Sequence, residues 1–363
     1  MEIIKQNTNI NYIEFQNLYK NIDFLNTIFF DIETTGFLAK NSHLYMIGIL
    51  YVCKETNTFT TIQWFSNERN DESEIILSFA DFIKEYTTLI HFNGKGFDIP
   101  YLEAKAEKLG VNIDFDNLIH IDLYKSAAKL KKFFKTENIK LKTLEQFLGL
   151  NRDDSFSGGD LIAVYDEYMR KNDKLLKEFL LLHNYEDLKG MLTVLNILAY
   201  EYIFNEQYTY MNVEHNPANN EIILEFALLT PVTTRISYST DNIYLTVYDT
   251  KLKLLVKSYE DELKYFYENY KDYYYLPQED MAIHKTLATY VDKEFKEKAK
   301  KTNCYTKKTA TFLPQYDNLF NPCFKKNYKD KIIYFEITNE FLNNEEMLFN
   351  YGKHILSYLR DLR

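Results

Sequence analysis

The run Phe29-Phe30-Asp31-Ile32-Glu33-Thr34-Thr35-Gly36 constrains this chain more than any other stretch. Apolar residues over 25–30 read as a short buried strand, and Thr-Thr-Gly breaks it, which leaves Asp31 and Glu33 at its end. Alternation puts both carboxylates on one strand face, about 7 Å apart. No lysine or arginine lies between Asn21 and Leu38, so the two acids repel unless something cationic sits between them. Oxygen-only ligands suit hard divalent ions such as Mg²⁺ or Mn²⁺. An Asp-x-Glu that simply caps the next turn is an equal reading at this point.

The rest of the first half supplies partners for that strand. Residues 10–20 form a short amphipathic lead-in, and residues 25–33, 45–53 and 58–65 are strand-like with short polar connections, which favours antiparallel pairing. Residues 72–86 carry Ile75, Ile76, Phe79, Phe82 and Ile83 at helical spacing, and residues 89–92 form another buried strand. A strand, helix, strand passage implies parallel pairing. Residues 97–109 are helical and end at Gly110, residues 120–124 are a strand, and from Leu141 the pattern is helical almost to Phe204. In His91-Phe92-Asn93-Gly94-Lys95-Gly96-Phe97-Asp98-Ile99-Pro100 the glycines permit a tight turn. Asp98 then falls in the first helical turn, where the dipole favours its charge and where it can point back at Asp31. In His183-Asn184-Tyr185-Glu186-Asp187, His183 and Asp187 share a helix face that continues into Met191, Leu195 and Leu198. That face packs on the sheet and brings Asp187 inward.

Taken in order, Asp31-x-Glu33-Thr34-Thr35-Gly36, Asn93-Gly94-x-x-Phe97-Asp98-x-Pro100 and His183-Asn184-x-x-Asp187 resemble the DEDD superfamily of 3′-to-5′ exonucleases, and more narrowly the YprB-type ribonuclease H-like family. Leu141-Lys142-Thr143-Leu144-Glu145 through Leu148-Gly149-Leu150, and Ser157-Gly158-Gly159-Asp160-Leu161-Ile162 running on to Tyr165 and Tyr168, add to a match that covers residues 25–204. The resemblance implies an α/β fold, a ribonuclease H-like mixed five-stranded sheet flanked by helices, with the first three strands antiparallel and the last two parallel to the first. It implies that Asp31, Glu33, Asp98 and Asp187 hold two Mg²⁺ or Mn²⁺ ions about 4 Å apart around a scissile phosphate. It also implies that Thr34, Asn93 and Phe97 touch a single-stranded DNA or RNA substrate. His183 is then the general base or orients the attacking water. The superfamily's branches have His-x4-Asp or Tyr-x3-Asp, and this chain's His-x3-Asp leaves both roles open. Asp122 matches an acidic position with a supporting or structural role, and Lys142 reads as a solvated lysine.

Composition adds bounds. At 46% hydrophobic and 26% charged residues the chain is ordinary for a globular protein. Its net charge of −10 disfavours phosphate-bearing partners, although a metal-dependent phosphodiesterase needs clustered carboxylates. Three cysteines without a C-x-x-C pair argue against a disulfide framework or a cysteine zinc site and fit a reducing cytoplasm. No leader pattern and no run of about 18 apolar residues is present, so no membrane partner is expected.

The expected domains are 1–206, the nuclease-like unit; 207–220, a linker containing Asn216-Pro217; and 221–363, a smaller α+β domain that binds nucleic acid or a partner. In the last, residues 221–228, 232–238, 243–248, 252–256 and 332–337 read as strands and 263–270, 279–300 and 345–359 as helices. Lysines over 293–308 and at 325, 326, 329 and 331, interleaved with aromatics, suit a single-stranded nucleic-acid groove, though a solvated helix face is the simpler reading. Two other functions stay open: a non-catalytic nucleic-acid or protein-binding module on a retained nuclease fold, and a structure-specific endonuclease.

Overall fold

The computed structural model describes residues 1–150 and 158–362, so the Ser157 end of the second supporting match lies outside the described residues. The chain divides into two compact units: residues 1–202 with 230–234, and residues 203–229 with 235–363.

The first unit is built on one mixed sheet of β1 (Glu2–Asn11), β2 (Thr27–Thr34), β3 (Leu44–Cys53), β4 (Thr58–Phe65), β5 (Thr88–His91) and β6 (Ile119–Asp122), in the order β1-β4-β3-β2-β5-β6. Helices α1 (Tyr12–Leu18), α2 (Glu72–Ile83), α3 (Asp98–Leu109), α4 (Leu123–Phe134), α5 (Leu141–Phe147), α6 (Gly158–Lys171), α7 (Lys174–Val194) and α8 (Ile197–Ile203) accompany it. β2, β3 and β4 pair antiparallel, and β5 and β6 run parallel to β2. These are the five expected strands in the expected directions. A sixth strand, β1, lies ahead of the lead-in expected over 10–20, which holds α1: residues 2–7 pair with β4 along its free edge. Most β1 side chains are exposed, so its sequence lacks the apolar alternation that marks a half-buried strand, as suits a polar edge.

Alternation along β2 sends every second side chain into one of two cores that cover the sheet's faces. Ile28, Phe30 and Ile32 join Ile75, Ile76 and Phe79 of α2 and Ile99, Leu102 and Ala106 of α3. On the opposite face, Tyr45, Met46 and Phe65 pack with Leu161, Tyr165 and Tyr168 of α6 and Leu180 of α7. Burying each such side chain is worth about 1.5–3 kcal/mol, which fixes the strand phase and with it the face on which Asp31 and Glu33 stand.

The second unit is richer in strand than the α+β pattern suggests. β7 (Tyr208–Asn216), β8 (Glu221–Ser239) and β9 (Ile243–Lys257) form one sheet, β10 (Tyr259–Phe266), β14 (Tyr305–Gln315) and β15 (Ile333–Glu336) a second, and β11 (Tyr273–Leu276), β12 (Met281–His284) and β13 (Glu297–Lys298) a third. α9 (Lys285–Ala288), α10 (Asn339–Leu342) and α11 (Glu345–Asp361) complete it. The segment 207–220, expected as a linker, holds β7, which pairs antiparallel with β8. The first half of the helix expected over 263–270 is β10, paired to β14, and that over 279–300 is divided among β12, α9 and β13. The lysines therefore share no helix face. Lys296 donates to the carbonyls of Ala288 and Val291, Lys307 meets Asp280 at 2.7 Å, and Lys308 pairs with Glu336. Among the described residues no helix is long and apolar enough to cross a membrane.

Residues 230–234 complete the first unit rather than the second. Thr233 N donates to Asn196 Oδ1 at 3.1 Å, Thr234 N donates to the Tyr200 hydroxyl at 3.0 Å, and that hydroxyl donates to Thr234 O at 2.6 Å. Asn196 and Tyr200 are both buried. A chain shortened at Asn205 strands these groups, each at about 1–3 kcal/mol. It is expected to melt several degrees below the intact protein, as circular dichroism would show.

Candidate active site

Asp31 and Glu33 end β2, Asp98 opens α3 after the β5 loop, and His183 and Asp187 lie in mid α7. His183 Nε2 is 3.5 Å from Asp187 Oδ2 and 3.9 Å from Glu33 Oε1. One donor atom from each of Glu33, His183 and Asp187 lies within 4.8 Å of the others, a spacing that fits a shared cation. Tyr45 Oη donates to Glu33 Oε2 at 3.3 Å, and Tyr45 is itself clamped by stacking on Tyr165 at 4.2 Å.

The electrostatics fit the same picture. Burial, and then the charges of Glu33, Asp187 and Asp98, push the Asp31 carboxyl well above the ordinary aspartate range. Burial pushes Asp98 up to about 7 against hydrogen bonds from its own amide and that of Ile32, and Asp122 adds to the rise. The Ile32 amide also ties Asp98 to the residue between Asp31 and Glu33. Uncompensated acids of this kind are what a divalent cation offsets.

A stability consequence follows. An unfolded aspartate titrates near 3.8 and the native Asp98 near 7, so between these values the native state holds a proton that the unfolded state has released. Stability then falls as pH rises through that window. In EDTA the protein should melt higher near pH 5 than near pH 8, and Asp98→Asn should flatten the difference; an unchanged slope would assign it to other groups.

The β5 loop that aims Asp98 is held from beneath. His91 Nδ1 accepts from Gly94 N at 3.0 Å, His91 Nε2 lies 3.4 Å from His120 Nδ1, and His120 Nε2 is 2.9 Å from Phe115 O. With His91 Nδ1 an acceptor, its Nε2 carries the proton. Burial lowers the His91 imidazole to about 4, so His91 stays neutral at physiological pH. Asp122 caps α4 and accepts from Asn93 N at 3.0 Å, which agrees with a structural role. Gly94 is a steric requirement, because a Cβ there meets the buried His91 ring at Cγ, 2.7 Å away.

Of the residues expected to touch substrate, Thr34 donates to Gly36 O at 2.9 Å and closes the turn after β2. Asn93 takes a left-handed backbone, φ 63°. Phe97 packs edge-on to Phe37 at 5.9 Å, whose ring is 85% exposed. Gly48 and Gln63 carry no expectation from the sequence, and Asn184 enters there only as part of the His183-Asn184-x-x-Asp187 match. Asn184 Nδ2 donates to Asp31 Oδ2 at 3.0 Å, and Gln63 Nε2 donates to Asn184 Oδ1 at 3.0 Å. A glycine and a glutamine inside strongly apolar strands were the available signals.

Residues 28–199 match the family model RNase_H_2 of the RNase_H superfamily. The domain is RNase H-like. DNA polymerase 1 of Sulfurisphaera ohwakuensis is 40% identical to this chain over 76 residues, covering 18% of the chain and 8% of that protein. DNA polymerase of Methanocaldococcus jannaschii is 32% identical over 85 residues, covering 18% and 5%. The chain thus spans a small part of the length of these curated relatives. The family B DNA polymerase of the hyperthermophilic archaeon Pyrobaculum calidifontis overlays on 68% of this chain and 35% of its own with 14% identity and a TM-score of 0.39.

Proposed function

We propose that the RNase H-like unit is a metal-dependent 3′-to-5′ exonuclease acting on single-stranded DNA or RNA, of the DEDD type. The observation that carries this reading is the convergence of the Glu33, His183 and Asp187 donor atoms, beside a half-buried Asp31 carboxyl raised by desolvation and then by its acidic neighbours. Glu33 and Asp187, with Asp31 and Asp98, would hold two divalent ions, Mg²⁺ or Mn²⁺. When bound, the ions supply Lewis acidity toward the scissile phosphate and charge compensation for the leaving 3′ oxygen. His183 accepts a proton from the attacking water or orients it from the α7 side. Phe97 stacks on a base near the strand end, Asn93 contacts the adjacent backbone, and Thr34 holds the β2 turn against the terminal nucleotide. Tyr45 keeps Glu33 oriented by its hydrogen bond.

The test is incubation of the full chain with single-stranded DNA and RNA carrying a 5′ label, with Mn²⁺ or with EDTA. Stepwise shortening from the 3′ end in Mn²⁺ alone is expected. Internal cuts without laddering would instead support the endonuclease reading. No cleavage of either strand would favour a binding module on the same fold.

A further inference from the structure

The Asp31 carboxylate has a neighbour whose polarity is dictated from across the sheet. Asp31 of β2, Gly48 of β3 and Gln63 of β4 stand in register in one row, and Asn184 of α7 lies over its middle. Gly48 makes the approach possible: a Cβ there would lie 1.9 Å from Asn184 Oδ1 and 2.9 Å from Leu188 Cδ1. A glycine inside a strand weakens it, and two fully buried amides cost desolvation that an apolar helix contact would avoid.

The hydrogen bonds run one way along the row. The carbonyl of Leu181 can only accept, so Gln63 turns Nε2 toward it, at 2.8 Å. The same nitrogen donates to Asn184 Oδ1 at 3.0 Å, and Asn184 must then present Nδ2 to Asp31 Oδ2, at 3.0 Å. Reversing the Asn184 amide would set donor against donor at Gln63 and oxygen against carboxylate at Asp31. Asn184 and Gln63 are 0% and 2% exposed, so solvent offers no substitute partner.

We propose that Asn184 and Gln63 are positioning residues of the metal centre. They form a polarity relay, starting at the Leu181 carbonyl and admitted by Gly48, that commits Asp31 Oδ2 to accepting a hydrogen bond and frees the other Asp31 oxygen to hold a cation. This rests on the metal-dependent reading above. It assigns a function to three residues outside the carboxylate and histidine set.

The test is Mn²⁺ binding by titration calorimetry on the full chain, for the wild type, Asn184→Ala, Gln63→Met and Gly48→Ala, with a melting curve for each. Groups that orient a metal-binding side chain typically contribute about 10- to 100-fold in affinity, and Asn184→Ala is expected to lose that much. Gln63→Met should weaken binding in the same direction by a smaller factor. Gly48→Ala keeps every hydrogen-bonding group yet displaces Asn184, and should also weaken it. Cleavage by Asn184→Ala should recover toward the wild-type rate at saturating Mn²⁺.

A cooperatively melting Asn184→Ala that binds Mn²⁺ within about twofold of the wild type overturns the proposal. So does a rate deficit that persists at saturating Mn²⁺ with affinity unchanged. If Asn184→Ala does not fold, Gln63→Met decides, and unchanged affinity there overturns the relay. A wild-type protein that takes up no Mn²⁺ overturns the metal reading itself, an outcome distinct from wild type and variants binding equally well.

Discussion

Asp31→Asn is expected to lower the cleavage rate by roughly a thousandfold while raising the melting temperature of the metal-free protein. On the proposed metal-dependent reading, the rate loss follows from removing a ligand charge at a centre where metal ions would contribute several kcal/mol to the transition state, each 1.36 kcal/mol being about tenfold. The stability gain follows from the cost of burying that charge beside Glu33, Asp187 and Asp98, which already drives the Asp31 carboxyl well above its ordinary range. An asparagine there can still accept the hydrogen bond from Asn184, so the surrounding packing is retained. Single-turnover cleavage in Mn²⁺, with melting curves in EDTA, checks both halves. A variant with near-normal rates would remove Asp31 from the site, and one that melts well below the wild type would show that the carboxylate is held by more than its neighbours suggest. Glu33→Gln, Asp98→Asn and Asp187→Asn should behave alike in rate.

His183→Ala is expected to cost roughly 10²- to 10⁴-fold in kcat if the imidazole moves the proton of the attacking water. Its place bears on how that loss should be read, because His183 Nε2 lies 3.5 Å from Asp187 and 3.9 Å from Glu33, inside the carboxylate cluster rather than beside it. A third role, as a nitrogen ligand, is therefore open alongside base and water-orienting group. Mn²⁺ affinity separates it: a ligand lost with His183 weakens metal binding, whereas a base lost leaves it intact. His183→Tyr separates the other two, since a phenol can orient a water but is a poor base at neutral pH. Activity kept in the tyrosine variant, with the loss of rate at acid pH gone, would assign orientation. Activity lost in both variants with metal binding intact would assign the base.

The local chemistry of the site was legible because it rests on short periods. Ile28, Phe30 and Ile32 alternate with Asp31 and Glu33 within one strand, so the face of the acids follows from which side chains must leave water. Gly94, Gly96 and Asp98 signal a turn into a helix, and His183 and Asp187 share a face at the spacing of one helical turn. What the sequence left undecided is register and edge pairing, which are set by hydrogen bonds between residues far apart in the chain. That Asp31, Gly48 and Gln63 form one row is decided by how β2, β3 and β4 align, and without that row Asn184 is one more polar residue on a helix.

The second unit shows the same limit. Leu263, Phe266, Tyr267 and Tyr270 fit a helical period while Leu263, Tyr265 and Tyr267 fit a strand period. Eight cross-strand pairs between β10 and β14, from Tyr259 with Phe312 to Phe266 with Tyr305, decide for the strand. β1, mostly polar and exposed, becomes a strand because β4 offers an edge. Local periodicity by itself determined the phase of the buried strands and the spacing of the site's acids. Tertiary pairing decided which side chains stand beside those acids, because a backbone donor or acceptor is satisfied equally well by a helix, a turn or a neighbouring strand until that neighbour is in place.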